Sequence, residues 1–193
     1  MTITAQTQPT LIHTLWPARG SAPARSALLI LLGSVFLGVC AQVQVPLEPV
    51  PITMQTFGVL VLGMAYGWRM GMASVGLYLL EGAAGLPVFA GFTGGLPVLL
   101  GPTGGYLFGF VLAAGLVGWL AERHWDRNPM TTALAMLLGN LALYVPGLLV
   151  LAFFVGASDV LKFGLWPFLL GDALKLALAA GLMPAAWWLL RRR

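Results

Sequence analysis

The chain has 193 residues, of which 59% are hydrophobic and only 8% are charged, and its formal net charge is +4. About a quarter of the residues of a soluble domain are charged, so this composition excludes a soluble protein. The stretch between Glu81 and Glu122 contains no charged residue and is longer than the about 20 residues that one membrane-spanning helix needs. The sequence therefore predicts an all-α membrane protein that crosses the bilayer several times.

The N-terminal part divides into a lead and a first helix. Residues 1–24 are polar and contain three prolines, which predicts a short flexible lead before a membrane domain at 25–193. The uncharged run after Arg25 predicts a helix at about 27–45, which a proline-rich turn ends. Ser34 and Gly38 form a pair of small residues on this helix. Such a pair either packs against another helix of the same bundle or docks a separate membrane subunit.

Five further helices are predicted, at about 55–68, 70–85, 103–121, 131–155 and 165–190. Residues 86–102, between the third and fourth helices, form an apolar connector whose glycines and prolines prevent one continuous helix. Irregular backbone at membrane depth is tolerated only where it is buried in protein or lines a cavity. We therefore expect this connector to form a lid or a wall over a pocket that faces outward.

The positions of the arginines favour six crossings. With a cytoplasmic N-terminus, six spans place every arginine on the cytoplasmic side, as the positive-inside rule requires. Five spans would put the arginines at 191–193 outside. The sequence thus predicts a multi-pass membrane protein with both termini on the cytoplasmic side. Its basic residues meet membrane lipid headgroups, and no nucleic-acid partner is expected.

Asp172 and Lys175 are opposite charges inside the predicted sixth helix. A charge in the hydrocarbon region costs roughly 3 kcal/mol or more, so such residues usually face a bundle interior or a cavity. Their spacing of three places both side chains on one helix face. They form either a structural ion pair or a polar recognition point for a small ligand that enters from the outer side.

Gln55 and Tyr106 are further candidates for ligand binding. Gln55 lies at the outer end of the second helix, where it either belongs to a helix cap or supplies a donor and an acceptor to a pocket. Tyr106 follows a glycine-rich turn in the segment 101–110. It either contacts the ligand or anchors the helix at the membrane interface.

Glu81 and Asn140 are the remaining candidates. Glu81 lies near the outer end of the third helix, where it can pair with Lys175, bind a loop or line the pocket. Asn140 lies four residues before Tyr144 on the fifth helix. Hydrogen bonding between helices is the default expectation for both of these polar groups.

The sequence contains none of the common catalytic motifs. G-x-x-x-x-G-K-[ST], G-x-S-x-G and H-E-x-x-H are all missing from it. Its histidines, His13 and His124, lie outside the predicted spans, and Cys40 is its one cysteine. We therefore predict that the chain is not an enzyme, hydrolyses no ATP by itself, and has no catalytic residues, metal site or cofactor.

Four segments resemble the BioY family, in this order: P-V-P-I-T-M-Q-T from Pro49, Y-L-L-E-G-A-A-G-L-P-V-F from Tyr78, G-P-T-G-G-Y-L-F-G-F from Gly101, and G-D-x-x-K ending at Lys175. They extend over about residues 25–185. The resemblance implies a six-helix substrate-binding S component of an energy-coupling-factor vitamin transporter. Such a subunit captures biotin outside and associates with a transmembrane T component and paired ABC ATPases.

The resemblance also assigns roles to residues. It implies that Asp172 and Lys175 contact biotin. We expect Asp172 to accept hydrogen bonds from the ureido N–H groups, and Lys175 to donate to the ureido carbonyl or to the carboxylate. The docking motif of the family, often A-x-x-x-A, corresponds loosely to Ser34-x-x-x-Gly38.

Two other classes of protein stay open at this point. A self-sufficient, proton-coupled secondary carrier for biotin would use Glu81 or Asp172 to carry the proton. A structural or assembly protein of the membrane would bind no ligand.

Overall fold

The computed structural model describes residues 10–17 and 22–192. The elements in chain order are α1 (Leu11–Leu15), α2 (Ala22–Gln42), β1 (Gln44–Val45), β2 (Ile52–Thr53), α3 (Gln55–Tyr66), α4 (Trp68–Ala83), a 3₁₀ turn (Ala90–Phe92), α5 (Leu96–Leu99), α6 (Gly104–Ala121), α7 (Pro129–Val155), α8 (Val160–Gly164) and α9 (Trp166–Arg191). The protein is mostly helical, as predicted.

Four helical segments are long and apolar enough to cross a membrane, judged by their length and composition: Pro23–Gln42, Gly104–Ala121, Pro129–Val155 and Val160–Arg191. α3 is a shorter apolar helix of 12 residues, and α4 has 16. These helices make the chain a multi-pass membrane protein. Six crossings and cytoplasmic termini stay predictions.

The predicted end of the first helix at residue 45 is wrong. α2 ends at Gln42, and the next residues form a short antiparallel hairpin in which Gln44 pairs with Thr53 and Val45 with Ile52. Prolines at 46, 49 and 51 cannot continue a helix, and the hairpin gives the extended backbone on either side of them hydrogen-bond partners. The hairpin brings the start of α3 next to the end of α2.

Helices also occupy part of the predicted flexible lead. α1 lies inside it and packs against α3, and α2 begins at Ala22 rather than at 27. Thr10 at the start of α1 is buried. Residues 1–9 and 18–21 of the lead lie outside the described residues, so the flexibility of these parts stays a prediction.

The core of the bundle is built around α6. It forms its most extensive contact with α7, and α3 and α4 also pack against it. A Cβ atom on Gly109 of α6 would lie 2.7 Å from the backbone oxygen of Leu143 in α7. Only glycine allows this close approach of the two helix backbones, and it places the outer halves of α6 and α7 side by side.

The connector between α4 and α6 contains the 3₁₀ turn and α5 instead of one continuous helix, as predicted. Gln42, the last residue of α2, holds it in place. Its side-chain Nε2 donates to the backbone oxygen of Phe89 at 3.0 Å, and its Oε1 accepts from the backbone N–H of Phe92 at 3.0 Å. These two bonds fix the connector above the space between the helices.

Candidate ligand-binding site

A cavity of about 180 Å³ lies beneath the hairpin and the connector, among α3, α6, α7 and α9. A single buried water needs about 10–15 Å³, so this space can hold a small organic molecule. Its aromatic lining residues are Phe89, Tyr106, Phe110, Tyr144 and Phe168, and its polar lining residues are Thr53, Gln55, Thr56, Thr93, Thr103 and Lys175. A largely apolar wall with a few polar groups is typical of small-molecule sites.

Asp172 and Lys175 form a buried ion pair on α9, with 3.2 Å between Lys175 Nζ and Asp172 Oδ1. Side chains from two other helices complete the cluster. Lys175 Nζ donates to Thr56 Oγ1 of α3 at 2.8 Å, and Thr56 Oγ1 lies 3.5 Å from Asp172 Oδ1. The hydroxyl of Tyr144 on α7 donates to Asp172 Oδ2. These partners compensate the cost of burying both charges.

The two charges are not placed equivalently. Lys175 lines the cavity, whereas Asp172 is not among its lining residues. A lysine ammonium has three donors, and Thr56 and Asp172 use two of them, which leaves one N–H for a ligand. The Asp172 carboxylate already accepts from Lys175, Thr56 and Tyr144. The arrangement therefore allows Lys175 to bind a ligand while Asp172 holds the ammonium in position.

Gln55 takes part in a second polar network at the cavity wall. Its Oε1 accepts from Thr53 Oγ1 at 2.9 Å, and its Nε2 donates to the hydroxyl of Tyr78 at 2.7 Å. Tyr78 in turn donates to the backbone oxygen of Val88 in the connector at 3.1 Å. The backbone N–H of Gln55 also donates to Thr53 Oγ1 at 3.2 Å. Gln55 is thus the first residue of α3 and lines the cavity, and a ligand-binding role for it stays a prediction.

Tyr106 lines the cavity. Its hydroxyl donates to the backbone oxygen of Gly164 at 2.8 Å, which fixes the orientation of the ring. The ring makes an edge-to-face contact with Tyr144 at 6.1 Å between centroids, and a tilted contact with Phe168 at 6.4 Å. Aromatic contacts of this kind contribute about 0.5–1.5 kcal/mol each. They join α6, α7 and α9 into a stiff wall for an apolar ring.

Glu81 and Asn140 are not among the lining residues. Glu81 accepts a hydrogen bond from Ser34 of α2, a partner outside the three alternatives that the sequence left open for it. Asn140 is buried on α7, and within residues 10–17 and 22–192 its Oδ1 has no hydrogen-bond partner. A ligand-binding role for either residue stays a prediction.

The small-residue pair on α2 faces the interior of the protein. Ser34 is only 1% exposed and contacts Glu81 of α4. A Cβ atom on Gly38 would lie 3.9 Å from Val88 of the connector. Packing within the bundle therefore accounts for Ser34, whereas Gly38 is half-buried and only touches the connector; docking of a partner at this pair stays a prediction.

Three contributors to the site were missed from the sequence: Thr56, Tyr78 and Phe89. Thr56 lies beside Gln55 in the first segment of the family resemblance, and the other two lie at the ends of the second segment. Their membership in those segments is the signal that could have identified them. The hydrogen bond between helices that was expected of Tyr144 is confirmed, since its hydroxyl donates to Asp172 of α9, although the sequence did not identify that partner.

Comparison with known proteins settles the family. The model of the BioY family matches residues 10–192, nearly the whole chain. The chain belongs to the BioY family. The curated relatives in this family are transporters, which confirms the prediction that the chain is not an enzyme.

Individual BioY relatives cover most of the chain. A probable biotin transporter BioY from Pyrococcus horikoshii is 37% identical, over 81% of this chain and 92% of its own length. The biotin transporter BioY from Thermotoga maritima is 43% identical, over 72% of this chain and 82% of its own length. The crystal structure of the S-component for biotin from an ECF-type ABC transporter superposes with a TM-score of 0.78 at 24% identity, covering 91% of this chain and 95% of that one. The two chains share a fold.

Proposed function

We propose that this chain is the biotin-binding membrane subunit of an energy-coupling-factor transporter, and that it captures biotin at the outer face of a bacterial cytoplasmic membrane. The observation that carries the proposal is the free N–H of the buried Lys175, which lines a cavity with an aromatic wall. The names of the relatives supply biotin as the substrate.

The chemistry of biotin suits this cavity. Its ureido ring has two N–H donors and a carbonyl acceptor, its valerate ends in a carboxylate, and its thiophane ring is apolar. Lys175 donates to the ureido carbonyl or to the carboxylate, and Gln55 offers a second amide N–H and a second lone pair. The rings of Tyr106 and Phe168 cover the thiophane ring. A charge-assisted hydrogen bond contributes about 1.5–3 kcal/mol, so two or three of them with apolar burial approach the about 12 kcal/mol of nanomolar binding.

In this proposal Asp172 acts first on Lys175. Its carboxylate holds the ammonium along the cavity wall, because it accepts from Lys175 Nζ at 3.2 Å. A carboxylate has about four lone-pair sites, and three donors already use it. One acceptor site of the carboxylate is unused, but Asp172 does not line the cavity, so its expected contact with a ureido N–H stays a prediction.

Release of bound biotin into the cell depends on partner subunits, since the chain has no nucleotide-binding motif. We place a transmembrane T component and paired ABC ATPases in that role. Because Ser34 is buried, the contact with the T component would use exposed side chains of the same helix, such as Val35 and Val39. Six crossings with cytoplasmic termini complete the proposal.

Calorimetric titration of the purified chain with biotin tests the binding step. We expect tight binding of biotin and none of pentanoate, which has the carboxylate chain but no ureido or thiophane ring. No binding of biotin, or equal binding of both molecules, would contradict the proposal.

Uptake into vesicles tests the dependence on partner subunits. Vesicles that contain this chain alone should bind biotin without accumulating it, with or without a proton gradient. Accumulation driven by the gradient would instead establish a proton-coupled carrier.

A further inference from the structure

A second concave site lies at the opposite end of the bundle from the cavity. The turn between α6 and α7 meets the C-terminal half of α9 there and leaves a groove of about 400 Å³. We call it the arginine groove, and its lining includes Arg127, Pro129, Pro184, Trp187, Trp188 and Arg191. None of these residues belongs to the proposed biotin site.

The arginine groove presents two cations that lack an acidic partner. The guanidinium of Arg127 lies 4.5 Å from the centre of the Trp187 ring, and its Nε is buried. In the part of the chain that the structure describes, this Nε has no hydrogen-bond partner, and neither Arg127 nor Arg191 forms an ion pair. Arg127 also lines the groove, so the remainder of its guanidinium can meet an anion there.

Trp187 is held so that its ring supports Arg127. Its Nε1 donates to Oδ2 of Asp126, which is fully buried. The indole therefore has a carboxylate at its edge and a guanidinium over its face. Burial raises the pKa of Asp126, while the hydrogen bond from Trp187 and the charge of Arg127 act in the opposite direction. Asp126 thus positions the tryptophan under Arg127, with which it forms no ion pair among the described residues.

The surroundings of the groove are those of a membrane surface. Leu178 and Leu182 on α9, and Met130 and Leu134 on α7, are exposed apolar side chains near it along the two helices. Both helices are long and apolar enough to span a membrane, so their ends lie at the level of the lipid headgroups. The N-terminus of α7 at Pro129 adds the partial positive charge of a helix dipole.

We propose that the arginine groove binds the phosphate headgroup of an anionic phospholipid. Arg127 and Arg191 contact the phosphate, since the guanidinium fork matches phosphate oxygens in a bidentate way. The acyl chains lie along the exposed leucines of α9. Basic pockets between transmembrane helices on the cytoplasmic side are a known form of headgroup site. The apolar residues on either side of the cations favour a lipid over free phosphate.

Native mass spectrometry of the detergent-purified chain tests this site. The protein is incubated with equimolar phosphatidylglycerol and phosphatidylcholine that carry the same acyl chains. We expect the wild type to retain phosphatidylglycerol preferentially. Arg127→Gln and Arg191→Gln should each lower that preference about fivefold, the effect of one cation near a lipid surface. Arg191 is exposed near the end of α9, so its substitution keeps the test valid if the Arg127 variant folds poorly.

Arg123→Gln is the matched control. It removes one arginine from the same end of the bundle, but Arg123 stacks on Trp119 and donates to the backbone oxygen of that residue at 2.9 Å. It should leave lipid retention unchanged. Equal retention of the two lipids by the wild type, or an equal loss in the Arg123 and Arg191 variants, would overturn the proposal. Displacement of the lipid by millimolar inorganic phosphate would also overturn it, because it would identify a site for a soluble anion.

Discussion

Replacement of Lys175 by methionine separates ligand binding by this residue from a purely structural role. Methionine keeps an apolar stem and removes the ammonium, so the variant loses the donors to Thr56, to Asp172 and to a ligand. Loss of one charge-assisted bond, worth about 1.5–3 kcal/mol, should weaken biotin binding about 10- to 150-fold. The same change leaves the Asp172 carboxylate buried without its cation, which costs about 3–5 kcal/mol of stability.

The double variant Asp172→Asn with Lys175→Met resolves the two effects. It removes both charges, so we expect the melting temperature to recover most of the loss seen in the single variant. Biotin affinity, measured by calorimetry, should stay low because the ligand still lacks its donor. The matched control is Lys162→Met, which removes the other lysine of the chain outside the cavity lining. Recovery of near wild-type affinity in the double variant would refute direct contact between Lys175 and biotin.

Three further predictions concern the ligand, the helix packing and the loop carboxylate. Biotin methyl ester should bind the wild type more weakly than biotin. If Lys175 binds the ureido carbonyl, calorimetry should find the same ratio of the two affinities in Lys175→Met. If Lys175 binds the carboxylate, the two ligands should bind Lys175→Met equally. Gly109→Ala should lower the melting temperature, because the new Cβ meets the Leu143 backbone at 2.7 Å, whereas Gly76→Ala, with no atom within 4 Å, should leave it unchanged or raise it slightly; equal shifts would contradict the packing argument. Burial raises the pKa of Asp126 from 3.8, so the folded state favours the protonated form and wild-type stability falls as pH rises above about 4. Asp126→Asn should therefore gain stability over the wild type as pH increases through this range, and melting curves at a series of pH values should show a growing difference.

The charged pair on α9 was predictable from the sequence because its spacing and its apolar surroundings leave few alternatives. Two opposite charges three residues apart share one helix face, and the hydrocarbon region forces that face inward. The partners of the pair were harder to predict. Thr56 lies on α3 and Tyr144 lies on α7. Their contact with α9 depends on the relative orientation of these helices in the bundle, and the sequence of a single helix does not determine that orientation.

The same reasoning explains why the sequence did not identify the partner of Glu81. A buried carboxylate needs a partner, and Lys175 was the one cation inside the predicted spans. The structure satisfies Glu81 with a neutral donor, Ser34, because α2 packs against α4 and brings small residues close to it. Charge matching along the sequence cannot identify a neutral partner from another helix.

The end of α2 shows a similar limit. The prolines after it predicted a break, and the break is present. Pairing of Gln44 with Thr53 depends on how the intervening turn folds back, and proline content alone does not specify that path. The connector was predicted more fully, since glycines and prolines exclude a long helix whatever the tertiary context.

The pairing of Asp172 with Lys175 has a consequence for vitamin selection. Since the two charges lie 3.2 Å apart, their fields nearly cancel beyond the cavity, and a dissolved molecule approaching from outside meets a short dipole instead of a net positive charge. Long-range attraction of anions is then weak, and capture should depend little on ionic strength. Discrimination between biotin and other acidic nutrients follows from the fit of rings and hydrogen bonds at close range.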